Sequence, residues 1–215
     1  METEKKTLVI IHGLDPKRER YDKIIKIFSE DYDVKYFPYD NRISLKIIVD
    51  ELMQFVDKNK IKSAYFLTHS FGSIVFKLFY ERRNCSVLGL VQLAPLNNGS
   101  TLLRRVYHLG FGKRKFGTGP KEFLKDEQYI LSLPLPPDTG VIAGNKNSDP
   151  NSKNSSLIPW IMNNRDSDGK ILISETKYKK IKDEHFFLVN EYHSYLMMND
   201  LVIEKSRKFF LDGKF

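Results

Sequence analysis

In this chain of 215 residues, one serine, one aspartate and two histidines have the types and the order that nucleophilic chemistry needs. Ser70 stands in Thr68-His69-Ser70-Phe71-Gly72. It follows the apolar run Ala64-Tyr65-Phe66-Leu67 and precedes Phe71, Ile74, Val75, Leu78 and Phe79 at helical spacing. A strand, one sharp turn with serine at its tip, then a helix presents a hydroxyl in a strained backbone conformation. Such a turn needs small residues two positions to either side. Gly72 meets that need, and Thr68 meets it in part. By itself the pentapeptide is a weak signal, because serines between strands and helices are common. A serine hydroxyl also needs a base to take its proton, and the base needs a carboxylate to orient it.

His185 is the candidate base. The segment Ile181-Lys182-Asp183-Glu184-His185-Phe186-Phe187-Leu188 places it just past a strand, on a loop before a helix. His193, in Glu191-Tyr192-His193-Ser194-Tyr195, is the competitor, read as lying inside a helix. His12 and His69 end strands and are read as supports of backbone geometry, and His108 falls in a long insertion. Asp168, in Asp166-Ser167-Asp168-Gly169, is the candidate carboxylate. Asp166 is the nearest alternative, and a plain surface turn is the competing account of the whole segment. The first apolar run, Leu8-Val9-Ile10-Ile11, ends in His12-Gly13-Leu14. The backbone N–H groups of Leu14 and Phe71 could then both face a developing oxyanion.

Taken together, Ile10-Ile11-His12-Gly13-Leu14, Thr68-His69-Ser70-Phe71-Gly72-Ser73, Leu93-Ala94-Pro95-Leu96-Asn97-Asn98-Gly99-Ser100, Gly140-Val141-Ile142-Ala143-Gly144-Asn145, Ser167-Asp168-Gly169-Lys170-Ile171 and His185-Phe186-Phe187-Leu188 make the chain resemble a small bacterial α/β-hydrolase of the lipase/esterase type. The chain order Ser, Asp, His is that of the family's triad. The resemblance covers nearly the whole chain. It departs from the family at Thr68, Ser73 and Ser167, which stand where glycine, glycine and asparagine are common. It implies a serine hydrolase cleaving carboxylic esters through an acyl-enzyme, with Ser70, Asp168 and His185 as triad, the N–H groups of Leu14 and Phe71 as oxyanion hole, and no cofactor. The same triad would also serve a thioesterase, an amidase or an acyltransferase. A non-catalytic binding protein on the same fold is the alternative from another class.

These residues require a frame. Short apolar runs alternate with amphipathic stretches, which indicates an α/β domain with a parallel sheet of about six strands and helices on both faces. Strands are expected near 7–12, 33–37, 62–68, 87–93, 139–144 and 178–183. Helices are expected near 19–30, 43–58, 71–83 and 199–211, with a further one over 188–197. The first strand would be central, with the second on one side and the nucleophile strand on the other. That arrangement is a switch point, where open α/β sheets place their ligand crevice. Residues 100–138 break the alternation and are expected to form a lid over the site. Residues 145–156 read as an exposed loop.

Length and composition bound the rest. The chain suits one domain with a full core, and 41% of its residues are hydrophobic. No apolar stretch approaches the roughly 20 residues of a membrane helix. The polar N-terminus carries no secretory pattern, and the single Cys85 suits a reducing compartment, so a cytoplasmic protein is expected. No His-x-x-x-His pair or cysteine pair suggests a metal, and the glycines form neither a phosphate loop nor a dinucleotide fingerprint. The net charge is +8. Between Asn97 and Lys121 there is no acid, yet Arg104, Arg105, Lys113, Arg114 and Lys115 occur, and Lys177, Lys179, Lys180 and Lys182 form a second cluster. An anionic membrane surface is therefore a possible partner, whereas nucleic-acid binding has only charge in its favour. The expected substrate is a small-molecule or lipid ester.

Overall fold

The computed structural model describes residues 5–15, 17–147, 165–178 and 181–215. Six strands form one parallel sheet in the order β2-β1-β3-β4-β5-β6. They are β1 Lys6–Ile11, β2 Tyr32–Phe37, β3 Ser63–His69, β4 Ser86–Leu93, β5 Thr139–Gly144 and β6 Phe186–Val189. The first five fall within a residue or so of the sequence expectation. The sixth does not: the expected strand over 178–183 is a turn where it is described, and Lys179 and Lys180 lie outside the described residues.

Alternation along the strands sorts the two cores, because successive side chains of a strand point to opposite faces. Val9, Ile11, Ala64 and Phe66 enter one core with helices α2 (Leu45–Lys58) and α3 (Gly72–Arg82). Leu8, Ile10 and Leu67 enter the other with α1 (Asp22–Phe28) and the C-terminal helix. In α2, Leu45, Ile48, Val49, Leu52 and Val56 are buried, the single stripe that a surface helix packs on a sheet. In α3 burial runs nearly all round over Gly72–Phe79, because the insertion covers its outer face.

That insertion, residues 100–138, holds four short helices: α4 Thr101–His108, α5 Gly112–Phe116, α6 Gly119–Lys125 and α7 Glu127–Ser132. Ser100 caps α4 by accepting from the Leu103 N–H at 3.2 Å, a bond that satisfies one otherwise unpaired donor of the first turn. Helix α8 spans Ile173–Thr176. The buried Glu175 side chain accepts from the Thr101 N–H and so ties α8 to the root of the insertion. The last helix, α9, spans Asp200–Asp212 and is capped by Asn199, whose side chain accepts from the Val202 N–H at 3.2 Å. The helix expected over 188–197 is instead the end of β6 followed by a 3-10 turn, His193–Met198. Most of the expected loop over 145–156 lies outside the described residues. No described helix is long and apolar enough to cross a membrane.

Candidate active site

The strand register brings the first two motifs together. Ile11 of β1 pairs with Thr68 of β3, so His12-Gly13-Leu14 leaves the sheet beside His69-Ser70-Phe71. Ser70 has a φ of 52°, in the left-handed region that a residue with a side chain enters only under strain. Its N–H donates to the Leu93 carbonyl at 2.8 Å, which ties the turn to β4. Gly72 is needed for close approach: a Cβ there would lie 2.6 Å from the carbonyl oxygens of both Ile11 and His12. Gly13 is needed for the same reason, since its Cβ would come within 2.9 Å of the Ser70 Cβ.

Two of the three family departures have partners. The Ser73 hydroxyl accepts from the Leu96 N–H at 3.1 Å, and the Ser167 hydroxyl accepts from the Gly169 N–H at 3.2 Å. The buried Thr68 hydroxyl has no partner among the described residues.

Asp168 sits in the turn after the segment that follows β5 and is 1% exposed. One carboxylate oxygen accepts from the Lys170 and Ile171 N–H groups at 2.9 and 2.8 Å. The other lies 2.7 Å from the Nδ1 of His193. The alternative acid, Asp166, is exposed.

The expected partnership of Asp168 with His185 is therefore corrected. His185 lies in a 3-10 turn that precedes β6, and its ring packs edge-on against Phe209 at 5.3 Å. In a parallel sheet all strands point the same way, so a residue before β6 and a serine after β3 emerge at opposite edges. His193 follows β6 and emerges at the same edge as Ser70. Placing the strand over 178–183 moved His185 to the wrong side of it.

The histidines that end the first and third strands fix backbone. The Tyr39 N–H donates to His12 Nε2 at 3.3 Å, so Nδ1 carries the proton and donates to the Gly13 carbonyl at 2.7 Å. In a trans peptide the C=O and the next N–H point opposite ways. Holding the Gly13 carbonyl therefore sets the direction of the Leu14 N–H. Neither that N–H nor the Phe71 N–H has an acceptor among the described residues. Phe71 also begins the α3 terminus, whose partial positive charge favours an anion.

His69 bridges to His193. The His193 carbonyl can only accept, so His69 Nε2–H donates to it at 3.1 Å. Nδ1 is then free to accept from the Tyr21 hydroxyl at 3.0 Å, and the Tyr21 oxygen accepts from the Gly13 N–H at 3.3 Å. Burial, with the neighbouring His193 and Lys170, holds the His69 pKa well below 6.5, so it is neutral at pH 7. Burial likewise lowers that of His12. Tyr21, Tyr39 and Asn41, whose side-chain amide donates to the Leu14 carbonyl at 2.6 Å, were not singled out from sequence. Only tertiary contact gives them this part; in the sequence they read as ordinary core or turn residues.

Ser70, Leu14, Phe71 and His193 border one cavity of about 660 Å³. Its apolar wall comes largely from the insertion, through Leu102, Leu103, Val106 and Phe116. Near it Asp15 is engaged by Arg20 at 2.8 Å. Among the described residues no cluster of histidine, cysteine and acid side chains is arranged to hold a metal. A strained serine, an imidazole bonded to a buried carboxylate and two unengaged N–H groups around an apolar cavity are the parts needed for acyl transfer.

The sheet order, the serine turn after β3 and the long insertion define the class: the chain has the α/β-hydrolase fold. Among solved structures it is similar to the mature form of the lipase BlEst2 from Bacillus licheniformis, with a TM-score of 0.69 at 14% identity over 100% of this chain and 96% of that one. It is also similar to MGS-MChE2, an α/β-hydrolase enzyme from a sediment metagenome of the Mar Chica lagoon, with a TM-score of 0.64 at 18% identity over 97% and 92% of the two chains. An α/β-hydrolase fold protein from Burkholderia ambifaria matches with a TM-score of 0.60 at 14% identity over 97% and 91%. No family model matches the sequence, and no curated protein matches it either.

Proposed function

We propose that this protein is a serine hydrolase that cleaves carboxylic esters, with Ser70 as nucleophile, His193 as general base and Asp168 as the acid that orients it. The observation that carries this reading is the 2.7 Å bond between Asp168 and His193 at the rim of the cavity that Ser70 enters. With Nδ1–H donated to the carboxylate, the other ring nitrogen is left to take the Ser70 proton. Ser70 Oγ adds to the ester carbonyl, and the resulting oxyanion is held by the N–H groups of Leu14 and Phe71. The carbon–oxygen bond to the alcohol then breaks as His193 returns the proton to the leaving oxygen. Water attacks the acyl-enzyme, giving one proton to His193, and collapse releases the carboxylic acid and restores the Ser70 hydroxyl. The reaction so written uses no cofactor. Helices α4 and α5 act as a cap, and their apolar side chains receive the acyl chain.

The test is labelling by a fluorophosphonate probe followed by turnover of a panel of acyl esters. The parent should label once and turn over esters, and Ser70→Ala should do neither. Losing a triad member costs on the order of 10⁴- to 10⁶-fold in kcat. A Ser70→Ala protein that retained a tenth of the parent rate would remove Ser70 from the reaction.

A further inference from the structure

The turn between α4 and α5 exposes two large apolar side chains, Leu109 at 56% and Phe111 at 66%. Of the exposed large hydrophobic residues described, these two alone also border the cavity. Between them Gly110 has nothing within 4 Å of where a Cβ would stand, so the turn projects from the body of the protein. The flanking residues His108, Lys113, Arg114 and Lys115 are all exposed. Folding adds a charge that the local sequence does not supply: Arg42, exposed at the far side of α5, donates to the Arg114 carbonyl at 3.5 Å. Among the described residues no acid forms an ion pair with Arg42, Lys113, Arg114 or Lys115. Not every basic residue of the insertion belongs to this face, since Arg104 is paired with Glu127 and Glu175.

We infer that this turn is a docking surface for a bilayer containing anionic phospholipid, with Leu109 and Phe111 entering the acyl region and the surrounding cations on the headgroups. Charge complementarity selects a polyanionic surface. The two apolar side chains, placed among like charges, select a lipid rather than a nucleic acid or acidic protein, because only a hydrocarbon layer removes them from water. The cavity mouth then meets the bilayer, so an acyl chain passes to the site without crossing water; this last step rests on the hydrolase reading. The docking itself does not.

The experiment is co-sedimentation with vesicles of phosphatidylcholine alone or mixed with phosphatidylglycerol, over a salt series. It uses the parent, Ser70→Ala, Phe111→Ser and the triple variant Arg42→Gln/Lys113→Gln/Arg114→Gln, each first shown to melt like the parent. The parent and Ser70→Ala should bind the anionic vesicles alike, and salt should weaken both. The triple variant should lose on the order of 100-fold in partitioning, about fivefold for each charge. Phe111→Ser should weaken binding at every salt concentration. Equal partitioning on neutral and anionic vesicles, or parent-like binding by the triple variant, would overturn the inference. So would tight binding to DNA without binding to vesicles. Vesicle binding by a parent that turns over no ester would instead sink the hydrolase reading and leave the docking surface standing.

Discussion

Asp168 holds His193 twice. Its carboxylate meets the imidazole Nδ1 at 2.7 Å, and its carbonyl accepts from the His193 N–H at 2.9 Å. The side-chain bond sets the orientation of the ring and the main-chain bond sets where the ring hangs. His69 grips the same residue from the other side through the His193 carbonyl.

The proposed base rests on this pair. His193→Ala should abolish ester turnover to about the extent of Ser70→Ala, whereas His185→Ala should leave kcat within a few-fold and show its effect in thermal stability through lost packing on Phe209. Steady-state kinetics of the two variants on one soluble ester decides. Parent-like activity in His193→Ala would end the assignment.

Tyr21→Phe probes the bridge. The change removes one hydroxyl and leaves the buried Gly13 N–H and His69 Nδ1 without partners. The expected cost is about 1–3 kcal/mol of stability, together with a fall in kcat and little change in KM, because the Gly13 peptide leads into the Leu14 N–H. A purely structural hydroxyl would move the melting temperature and leave kcat untouched.

His69 contributes to acid sensitivity. Its folded-state pKa is depressed below 6.5, so the unfolded chain binds the proton first as pH falls. The associated stability is present above about 6.5 and is lost as pH drops below that value toward the folded pKa. His69→Gln should therefore flatten the decline of melting temperature between pH 7 and pH 5 relative to the parent. Parallel curves for the two proteins would show that folding does not depress the His69 pKa.

Lys77, on α3 and fully buried, reaches only the Leu131 carbonyl at 3.4 Å and the face of Tyr178 among the described residues. Burial lowers its pKa from 10.5 to about 8. The unfolded chain keeps the proton up to pH 10.5 and the folded chain releases it near 8, so stability should rise with pH between those values. Lys77→Met, of similar length and without charge, should remove that rise and should not destabilise the protein at pH 7. Differential scanning calorimetry from pH 7 to 10 tests both statements, and a variant melting well below the parent at pH 7 would contradict the second.

Local sequence determined a great deal here. Five of the six strands, α2, α3 and α9 were legible because apolar periodicity acts over a few neighbours, and the serine turn was legible because a strand, a strained residue and a helix follow one another directly. Asp168 stood out for the same reason, as a turn residue. What only the tertiary structure decided was which histidine meets it. Phe186-Phe187-Leu188-Val189 is an edge strand of four residues, too short for periodicity to tell from a helix, and its true place depends on pairing with β5 from Val141 to Gly144. A shift of that strand along the chain carries His185 from one edge of the sheet to the other and puts His193 at the edge where Ser70 emerges, on the wall of the same cavity. The bridge through Tyr21 and His69 and the approach of Arg42 to α5 join residues 48 and 72 positions apart. No local pattern encodes such contacts, because they exist only once β1 and β3 lie side by side and the insertion has folded over them.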